Sequence, residues 1–241
     1  MRLPSRRVTS RVPGLFITGT DTGSGKSYVT AAIAAAMVAN SIDVVVRKPL
    51  LTGVDDGATN GPWLDHDLLS VAVGGAEAAE SISPVRFGPA MSPHLAAEQA
   101  GADIDVRAIA QDLRDLSTQQ DGTLLVEGIG GLLVPITRSD SVADLAVALG
   151  FPIVIAARPG LGTISHCLLT LEAARSRGLD VRAVVFGPWP EAPSAIESDN
   201  LKTVAQLGNV TVATLPAVTD ITHAGFAQAG NQLPLTEILA G

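Results

Sequence analysis

Short, strongly apolar runs recur along the chain, and each is followed by a longer segment with a helical pattern of apolar residues. The runs carry few charges and are rich in Val, Ile and Leu, which is typical of strands buried on both faces of a parallel sheet. The predicted strands are Leu15–Thr18, Val44–Arg47, Thr123–Val126, Ile153–Ala156, Ala183–Phe186 and Val210–Ala213.

The alternation of strand and helix favours right-handed crossovers, and so predicts a single-domain, doubly wound, mainly parallel α/β sheet with helices on both faces. Ligands of such sheets bind beyond the carboxyl ends of the strands, so the residues that follow strands are the first candidates for a site. A weaker helical pattern follows Asp220. The predicted helices are Ser27–Asn40, Leu64–Val73, Ile104–Leu116, Ser141–Leu149, Thr163–Arg177 and Ser194–Leu207.

A glycine-rich phosphate-binding loop joins the first strand to the first helix. Residues 19–27 read Gly-Thr-Asp-Thr-Gly-Ser-Gly-Lys-Ser, and the glycines let backbone N–H groups turn toward phosphates. Lys26 supplies a mobile positive charge, and Ser27 a hydroxyl suited to Mg²⁺. The first glycine is one residue earlier than in the plain motif, where Thr20 stands. The order of strand, glycine-rich loop, Gly-Lys-Ser and helix predicts nucleoside triphosphate binding. The alternatives are a glycine-rich turn with a surface lysine and a site for another phosphate ligand.

Composition and net charge limit what kind of protein this is and what it can bind. With 241 residues, of which 46% are hydrophobic and 3% aromatic, the chain can bury a substantial aliphatic core. A net charge of −8 argues against a general nucleic-acid binder, and no apolar run is long enough to predict a membrane span. The single cysteine, Cys167, excludes an intrachain disulfide and favours a reducing cytoplasm.

The first 13 residues differ from the rest, since they hold four arginines and no acidic residue. They lack the apolar core of a secretory signal, and we interpret them as a flexible N-terminal tail, with a transit peptide as the alternative. Residues 14–241 are predicted to form one nucleotide-binding domain, because strands and helices alternate there without a linker.

Charged residues stand at the ends of two predicted strands. Lys48 follows the second strand and could neutralise charge on a transferred phosphoryl group; a solvated lysine is the alternative. Glu127 ends the third strand before the glycine-rich turn 128–131, at the acidic metal-proximal position of loop-type nucleotide enzymes; a capping or loop glutamate is the alternative. Thr52 and Gly53 could add hydroxyl and N–H donors.

Three further segments carry candidate groups. Either Asp65 or Asp67 could cap the helix that follows them, and Asp67 could be a second Mg²⁺ ligand. His66 has no zinc-type spacing, so we interpret it as a surface residue. His94 could position a polar substrate or simply begin a helix. Free N–H groups after Gly162 could hold a carboxylate, with a simple helix cap as the alternative.

These motifs resemble those of the dethiobiotin synthetases of biotin biosynthesis. Each motif alone is weak, but all occur in the family's order from about Gly14 to about Pro216. The resemblance rests on the loop Gly19–Ser27, Lys48-Pro49 with Thr52-Gly53, Ser92-Pro93-His94, Val126-Glu127-Gly128 with Gly130-Gly131, and Leu161-Gly162-Thr163 with His166.

The resemblance implies an ATP-dependent ring closure. One amine of 7,8-diaminononanoate takes up CO₂ as a carbamate, ATP phosphorylates the carbamate, and the second amine closes a cyclic urea and releases phosphate. Phosphoryl transfer of this kind needs mainly positioning and cations. The family also implies Mg²⁺, ATP or another nucleoside triphosphate as co-substrate, and a homodimer. We expect a cytoplasmic enzyme with no nucleic-acid or membrane partner.

Residue by residue, the resemblance implies roles along the same edge of the sheet. The implied catalytic residues are Lys48, Lys26 and Thr22. The implied nucleotide-binding residues are Asp21, Thr22, Gly23, Ser24, Gly25, Lys26, Ser27, Tyr28, Gly187 and Pro188. The implied substrate-binding residues are Lys48, Thr52, Glu127, Gly130 and Gly131, with Gly162 and Thr163 reaching the substrate carboxylate across the dimer. The implied Mg²⁺ ligands are Ser27, Asp67 and Glu127.

The chain also departs from the family pattern. Ser24 replaces a usual apolar residue, Ile129 a usual alanine, and Ser165 a common asparagine. Where the family often has an asparagine that reads adenine, residues 187–190 read Gly-Pro-Trp-Pro, so the preferred base stays open.

Three alternatives to an active synthetase remain from the sequence. A nucleotide-switch ATPase of the partitioning type would usually carry an extra lysine early in the loop, and none stands between Gly14 and Lys26. An ATP-dependent amidation domain of cobalamin synthesis would need a glutaminase domain, for which the chain is too short. The third alternative is a folded but inactive relative.

Overall fold

All six predicted strands lie in one parallel sheet in the computed structural model, which describes residues 13–55 and 63–240. The predicted tail falls almost entirely on residues 1–12, which lie outside the described residues. The strands are β1 (Gly14–Gly19), β2 (Val44–Arg47), β5 (Thr123–Glu127), β6 (Ile153–Ala157), β7 (Val181–Trp189) and β8 (Val212–Pro216), and β3 (Leu50–Thr52) and β4 (Val85–Phe87) form a separate parallel pair.

The spatial order of the main sheet is β2-β5-β1-β6-β7-β8. Strands β3 and β4 were not predicted, because three residues are too few to show a pattern. The last strand starts at Val212 and not at the predicted Val210.

Each of the six predicted helices is present with shifted ends. The helices are α1 (Lys26–Ala39), α2 (Asp65–Ala72), α3 (Ala79–Ile82), α4 (Pro93–Ala100), α5 (Val106–Gln119), α6 (Val142–Leu149), α7 (Thr163–Arg175), α8 (Ala195–Gly208), α9 (His223–Gly230) and α10 (Leu235–Ile238).

Local chemistry explains where two of these helices begin. Ser141 and Ser194 each stand at the N-cap of a capping box, with Asp144 and Glu197 as the reciprocal partners. Such boxes satisfy N–H groups that have no partner inside the helix. The helices α6 and α8 therefore begin one residue after the serine.

The sheet separates two aliphatic cores. Leu15 and Ile17 of β1 face one side, where α1, α2 and α9 pack, whereas Phe16 faces the other, which α5 to α8 cover. This alternation is the period of a strand, and both faces are buried as the continuous apolar runs predict. The approach of α9 to α1 is very close, since a Cβ atom built on Gly230 would lie 1.9 Å from the carbonyl oxygen of Ala32.

The outer strand β2 is partly covered by a side chain. The backbone N–H of Val46 donates to Oε1 of Glu77 at 3.0 Å, and the same carboxylate forms an ion pair with Arg47. A side chain therefore occupies a backbone N–H that a further strand could otherwise use.

Parallel packing brings three strand ends together. Strand β5 lies between β1 and β2, so Gly19, Lys48 and Glu127 meet at one edge of the sheet. None of the helices in the described ranges has both the length and the apolar character needed to cross a membrane.

Candidate active site

The phosphate-binding loop is a tight turn between β1 and α1. A Cβ atom on Gly19 would lie 2.1 Å from Oγ of Ser24, so the loop can fold back this closely only with glycine there. Gly25 precedes the helix with φ of 88°, in the left-handed region that favours glycine. Lys26 and Ser27 follow at the helix N-terminus, where anions are stabilised.

Within the loop the polar groups are partly committed to each other. Nζ of Lys26 donates to the carbonyl oxygen of Asp21 at 3.1 Å, and the N–H of Thr22 donates to Oδ1 of Asp21 at 2.7 Å. Burial, and after it the charge of Lys48, lowers the pKa of Lys26 to about 8. A phosphate would be a far better partner for the Lys26 ammonium than one carbonyl oxygen.

Lys48 is the centre of a buried charged cluster beside this loop. Its Nζ donates to Oε1 of Glu127 at 2.6 Å and lies 2.7 Å from Oδ2 of Asp65, and the side chain is only 2% exposed. The Ser27 hydroxyl also donates to Oε1 of Glu127, at 2.7 Å. Residues from β2, α2, β5 and α1 thus meet around one ammonium group.

Electrostatics keep this cluster charged. Burial alone would lower the pKa of Lys48, but the charges of Asp65 and Glu127 outweigh it and raise that pKa above its ordinary value. Burial would likewise raise the pKa of Asp65, but the charge and hydrogen bond of Lys48, with a hydrogen bond from Ser27, lower it. Oε2 of Glu127 is buried and has no hydrogen-bond partner among the described residues.

The turn after β5 packs directly against the phosphate-binding loop. A Cβ atom on Gly131 would lie 3.2 Å from the carbonyl oxygen of Thr20, and one on Gly130 would lie 2.7 Å from Val134 and 3.5 Å from Oγ1 of Thr22. Glycine is therefore favoured at 131 by the close Thr20 backbone, and at 130 by the Val134 side chain and by a φ of 62°. The N–H of Leu132 donates to the carbonyl oxygen of Gly19 at 3.2 Å, which fixes the turn to the loop.

A largely apolar cavity of about 380 Å³ opens next to the same loop. Thr20 and Asp21 line it on one side, and His166 and Leu169 of α7 on the other. Leu169 and Leu133, which also lines it, are more than half exposed. The cavity therefore extends an apolar surface on the outer face of α7.

Comparison with known proteins places this chain in a family. The family described as an AAA domain matches residues 13–224. The ATP-dependent dethiobiotin synthetase BioD of Anaeromyxobacter sp. (strain Fw109-5) is 42% identical over 209 residues, which cover 86% of this chain and 92% of that protein. This chain belongs to the ATP-dependent dethiobiotin synthetase family. A relative of the same name from Mycolicibacterium gilvum (strain PYR-GCK) is 42% identical over 205 residues, which cover 84% and 86% of the two chains.

Solved structures share the fold at much lower identity. The MinC:MinD cell division protein complex of Aquifex aeolicus matches with a TM-score of 0.56 and 12% identity, over 93% of this chain and 92% of that chain. The cell division ATPase MinD of Pyrococcus furiosus matches with a TM-score of 0.54 and 16% identity, over 94% and 98%. Because these identities show the fold alone, they do not favour the nucleotide-switch alternative over the dethiobiotin synthetase family.

One predicted metal ligand, Asp67, is engaged at the start of α2. The Asp67 carboxylate accepts a hydrogen bond from the N–H of Leu64 at 3.1 Å, and so caps α2, while Asp65 reaches Lys48. Of the two capping alternatives, the structure gives the cap to Asp67. The prediction that His66 is a surface residue was wrong, because the side chain is buried with 6% exposed.

The remaining predicted residues fall in three places. Thr52 ends β3, half-buried. Gly187 and Pro188 lie at the end of β7, where the Gly187 carbonyl oxygen would be 3.4 Å from a Cβ atom on Gly25, so this turn adjoins the phosphate-binding loop. The Tyr28 ring packs against Phe226 with 5.9 Å between centroids.

The start of α7 is only partly as predicted. Gly162 is the N-cap with φ of 92°, but Thr163 is 4% exposed and its Oγ1 lies 3.5 Å from Sγ of Cys167. The Thr163 side chain therefore faces the protein interior, and its N–H donates to the carbonyl oxygen of Gly160 at 3.3 Å. Cys167 is buried in α7, and this burial raises the pKa of its thiol.

Two residues near the site were missed by the sequence analysis. Arg158 follows β6 and lies 3.4 Å from Oδ2 of Asp21, and Asn200 of α8 donates to the loop that begins at Arg158. Proximity to a strand end could have indicated Arg158, whereas the sequence pattern gives no sign that a residue of α8 reaches this loop.

Proposed function

We propose that this protein closes 7,8-diaminononanoate and CO₂ to dethiobiotin at the expense of ATP. The observation that carries the proposal is the buried Lys48, held between Asp65 and Glu127 beside the Ser27 hydroxyl of the phosphate-binding loop. A dry, preorganised cation next to a triphosphate site suits charge that develops on a transferred phosphoryl group.

The nucleotide end is built from the loop and the start of α1. Asp21, Thr22, Gly23, Ser24 and Gly25 surround the phosphates, Lys26 bridges them, and the turn at Gly187 and Pro188 borders the base. The buried position of Lys26 supports this, since a phosphate would restore the favourable surroundings that its ammonium has lost.

The same edge fits Mg²⁺. The Ser27 hydroxyl, the unpartnered Oε2 of Glu127 and a carboxylate oxygen of Asp65 are oxygen ligands of the kind that Mg²⁺ prefers. On geometry, we propose Asp65 in place of Asp67 as the second carboxylate. When bound, the ion would neutralise charge on the phosphate oxygens.

The diamine end lies around Lys48. A neutral amine attacks CO₂ and loses a proton to give a carbamate, whose oxygen then attacks the terminal phosphorus of ATP and displaces ADP. The second amine attacks the carbamate carbon and phosphate leaves with the C–O bonding pair, so the ring closes. Lys48 holds the carbamate oxygen and the transferring group, while Glu127 and Thr52 orient the amines.

The glycine turn and the loop complete this end. Backbone groups of Gly130 and Gly131 and the hydroxyl of Thr22 face the diamine. The closeness of Thr22 to the Gly130 turn supports this arrangement. Bringing carbamate, phosphate and amine together is the main contribution of such a site.

We propose a homodimer that forms through the outer face of α7. Leu161, Leu169 and Leu133 are at least half exposed on or beside this helix, which is unusual for large apolar side chains so close together. In that arrangement the N–H groups at the start of α7, around Gly162 and Thr163, reach the substrate carboxylate of the second protomer. We also propose that the enzyme works in the cytoplasm.

The test is product formation by the purified enzyme. ATP, Mg²⁺, bicarbonate and the diamine should give dethiobiotin, detected by mass, with one phosphate released per product. Omitting the diamine should abolish phosphate release. Hydrolysis of ATP at the same rate without the diamine would refute the synthetase and favour a nucleotide switch.

A further inference from the structure

The loop of residues 158–162, between β6 and α7, is held by a buried side chain from another helix. Nδ2 of Asn200 donates to the carbonyl oxygen of Pro159 at 2.8 Å and to that of Gly160 at 3.2 Å. Asn200 is 5% exposed, although it belongs to α8 and lies about 40 residues away along the chain.

Asn200 is the buried attachment of this loop among the described residues. The Arg158–Asp21 ion pair, at 3.4 Å, is half exposed at both side chains, and exposed pairs of this kind contribute little stabilising free energy. The Asn200 amide nitrogen donates to two carbonyl oxygens of the loop, and the side chain is buried.

The attachment reaches the first turn of α7 through one shared acceptor. The carbonyl oxygen of Gly160 also accepts the N–H of Thr163 at 3.3 Å, so Asn200 and the first helical N–H hold the same atom. Gly162 between them has φ of 92°, which turns the chain sharply into the helix. A shift of Gly160 would therefore change the direction of the N–H groups that begin α7.

We infer that Asn200 is a positioning residue for the substrate carboxylate. It fixes the loop so that the N–H groups at the start of α7 point to where the carboxylate binds, and it thereby favours carboxylated diamines over diamines without a carboxylate. Asn200 itself touches no substrate. This inference rests on the proposed function, which places the carboxylate at Gly162 and Thr163.

The decisive variant is Asn200→Asp in the full-length enzyme. It keeps the size of the side chain but replaces the donating NH₂ with an acceptor that faces two carbonyl oxygens, so the loop must move. We expect KM for diaminononanoate to rise about tenfold or more, the loss of a hydrogen bond to a charged group. We expect kcat and KM for ATP to change less than about twofold, because the loop contacts neither Lys26 nor Lys48 and its ion pair with the phosphate-binding loop, Arg158–Asp21, is half exposed and weak.

A truncated substrate separates positioning from general damage. With the same diamine chain lacking its carboxylate, Asn200→Asp and wild type should have equal kcat/KM. Asn200→Ala, which removes the donors without adding an acceptor, should show the same pattern more weakly. Gln206→Glu, an amide-to-acid change at an exposed site on the same helix, should match wild type with both substrates.

The outcomes are distinct. A folded Asn200→Asp enzyme with unchanged KM for diaminononanoate overturns the inference, and so does an equal loss with both diamines, which would make Asn200 a support of the fold only. A wild-type enzyme that never turns over the diamine overturns the proposed function itself, whatever the variants do.

Discussion

Replacing Lys48 with methionine would remove the ammonium group that two buried carboxylates share. Methionine keeps the unbranched stem of lysine but lacks the ammonium, so the change isolates the charge. Asp65 and Glu127 both lie within hydrogen-bond distance of that one nitrogen, at 2.7 and 2.6 Å. Their carboxylates would then be uncompensated in a largely dry environment.

The expected loss follows from how deeply the cluster is buried. Removal of one partner of a buried ion pair costs about 3–5 kcal/mol. For a chain of this size, each kcal/mol lowers Tm by about 2–4 °C, so Lys48→Met should unfold roughly 6–20 °C below wild type. In the wild type the pKa of Lys48 is raised above its ordinary 10.5 and that of Asp65 is lowered below its ordinary 3.8, so both groups stay charged from about pH 6 to about pH 9. The loss in Lys48→Met should be no larger at about pH 6 than at about pH 9, because a buried acid without its cation is more easily protonated.

The measurement is thermal and urea unfolding of ligand-free protein, in a double-mutant cycle with Glu127→Gln. The double variant should recover part of the loss, because it removes one of the two stranded charges. Lys202→Met, at an exposed lysine of α8, is the control and should change Tm by less than about 2 °C. The electrostatic reasoning would be refuted if Lys48→Met had the same Tm and urea midpoint as the wild type while lacking dethiobiotin synthesis. That result would show that the charge of Lys48 contributes nothing to stability.

Four further substitutions test other contacts. Asp65→Asn should lower kcat/KM at least about 100-fold, as expected when a charge that orders the transition state is lost, whereas Asp67→Asn should keep activity within about twofold and cost about 1 kcal/mol as a weakened cap. Gly230→Ala should destabilise by about 1–3 kcal/mol or more, because its Cβ atom would meet the carbonyl oxygen of Ala32 at 1.9 Å. Ser194→Ala should cost about 1 kcal/mol of unfolding free energy through loss of the α8 cap, with activity unchanged.

Each of these has a result that would contradict it. Equal activity loss in Asp65→Asn and Asp67→Asn would remove the distinction between ligand and cap. An unchanged Tm in Gly230→Ala would mean that α9 can move away from α1 without cost. A Ser194→Ala variant as stable as wild type would mean that water replaces the serine at this helix end.

Much of the fold could be predicted because strands that are buried on both faces of a sheet have continuous apolar sequences. Residues 44–47 and 153–156 gave strands at the predicted places for this reason. The pair β3 and β4 escaped because its three-residue strands are too short to show a period, and their pairing depends on distant parts of the chain.

The site was predictable where a residue ends a strand or belongs to the loop, as for Lys48, Glu127 and Lys26. The choice between Asp65 and Asp67 could not be predicted, because both lie in the first turn of α2 and only the direction of that helix in space decides which carboxylate reaches Lys48. Asn200 lay beyond sequence reasoning for a similar reason: its two acceptors are backbone carbonyls, which leave no trace in side-chain pattern.

Glu77 has a consequence for how copies of this protein can associate. By taking the N–H of Val46 and the Arg47 guanidinium, it denies an incoming chain the free ladder on which sheets of two molecules could merge into one. Growth of the sheet across copies is therefore disfavoured at β2, one of its two outer strands. An acid in the segment before α3 thus helps to prevent the β2 strands of two molecules from pairing.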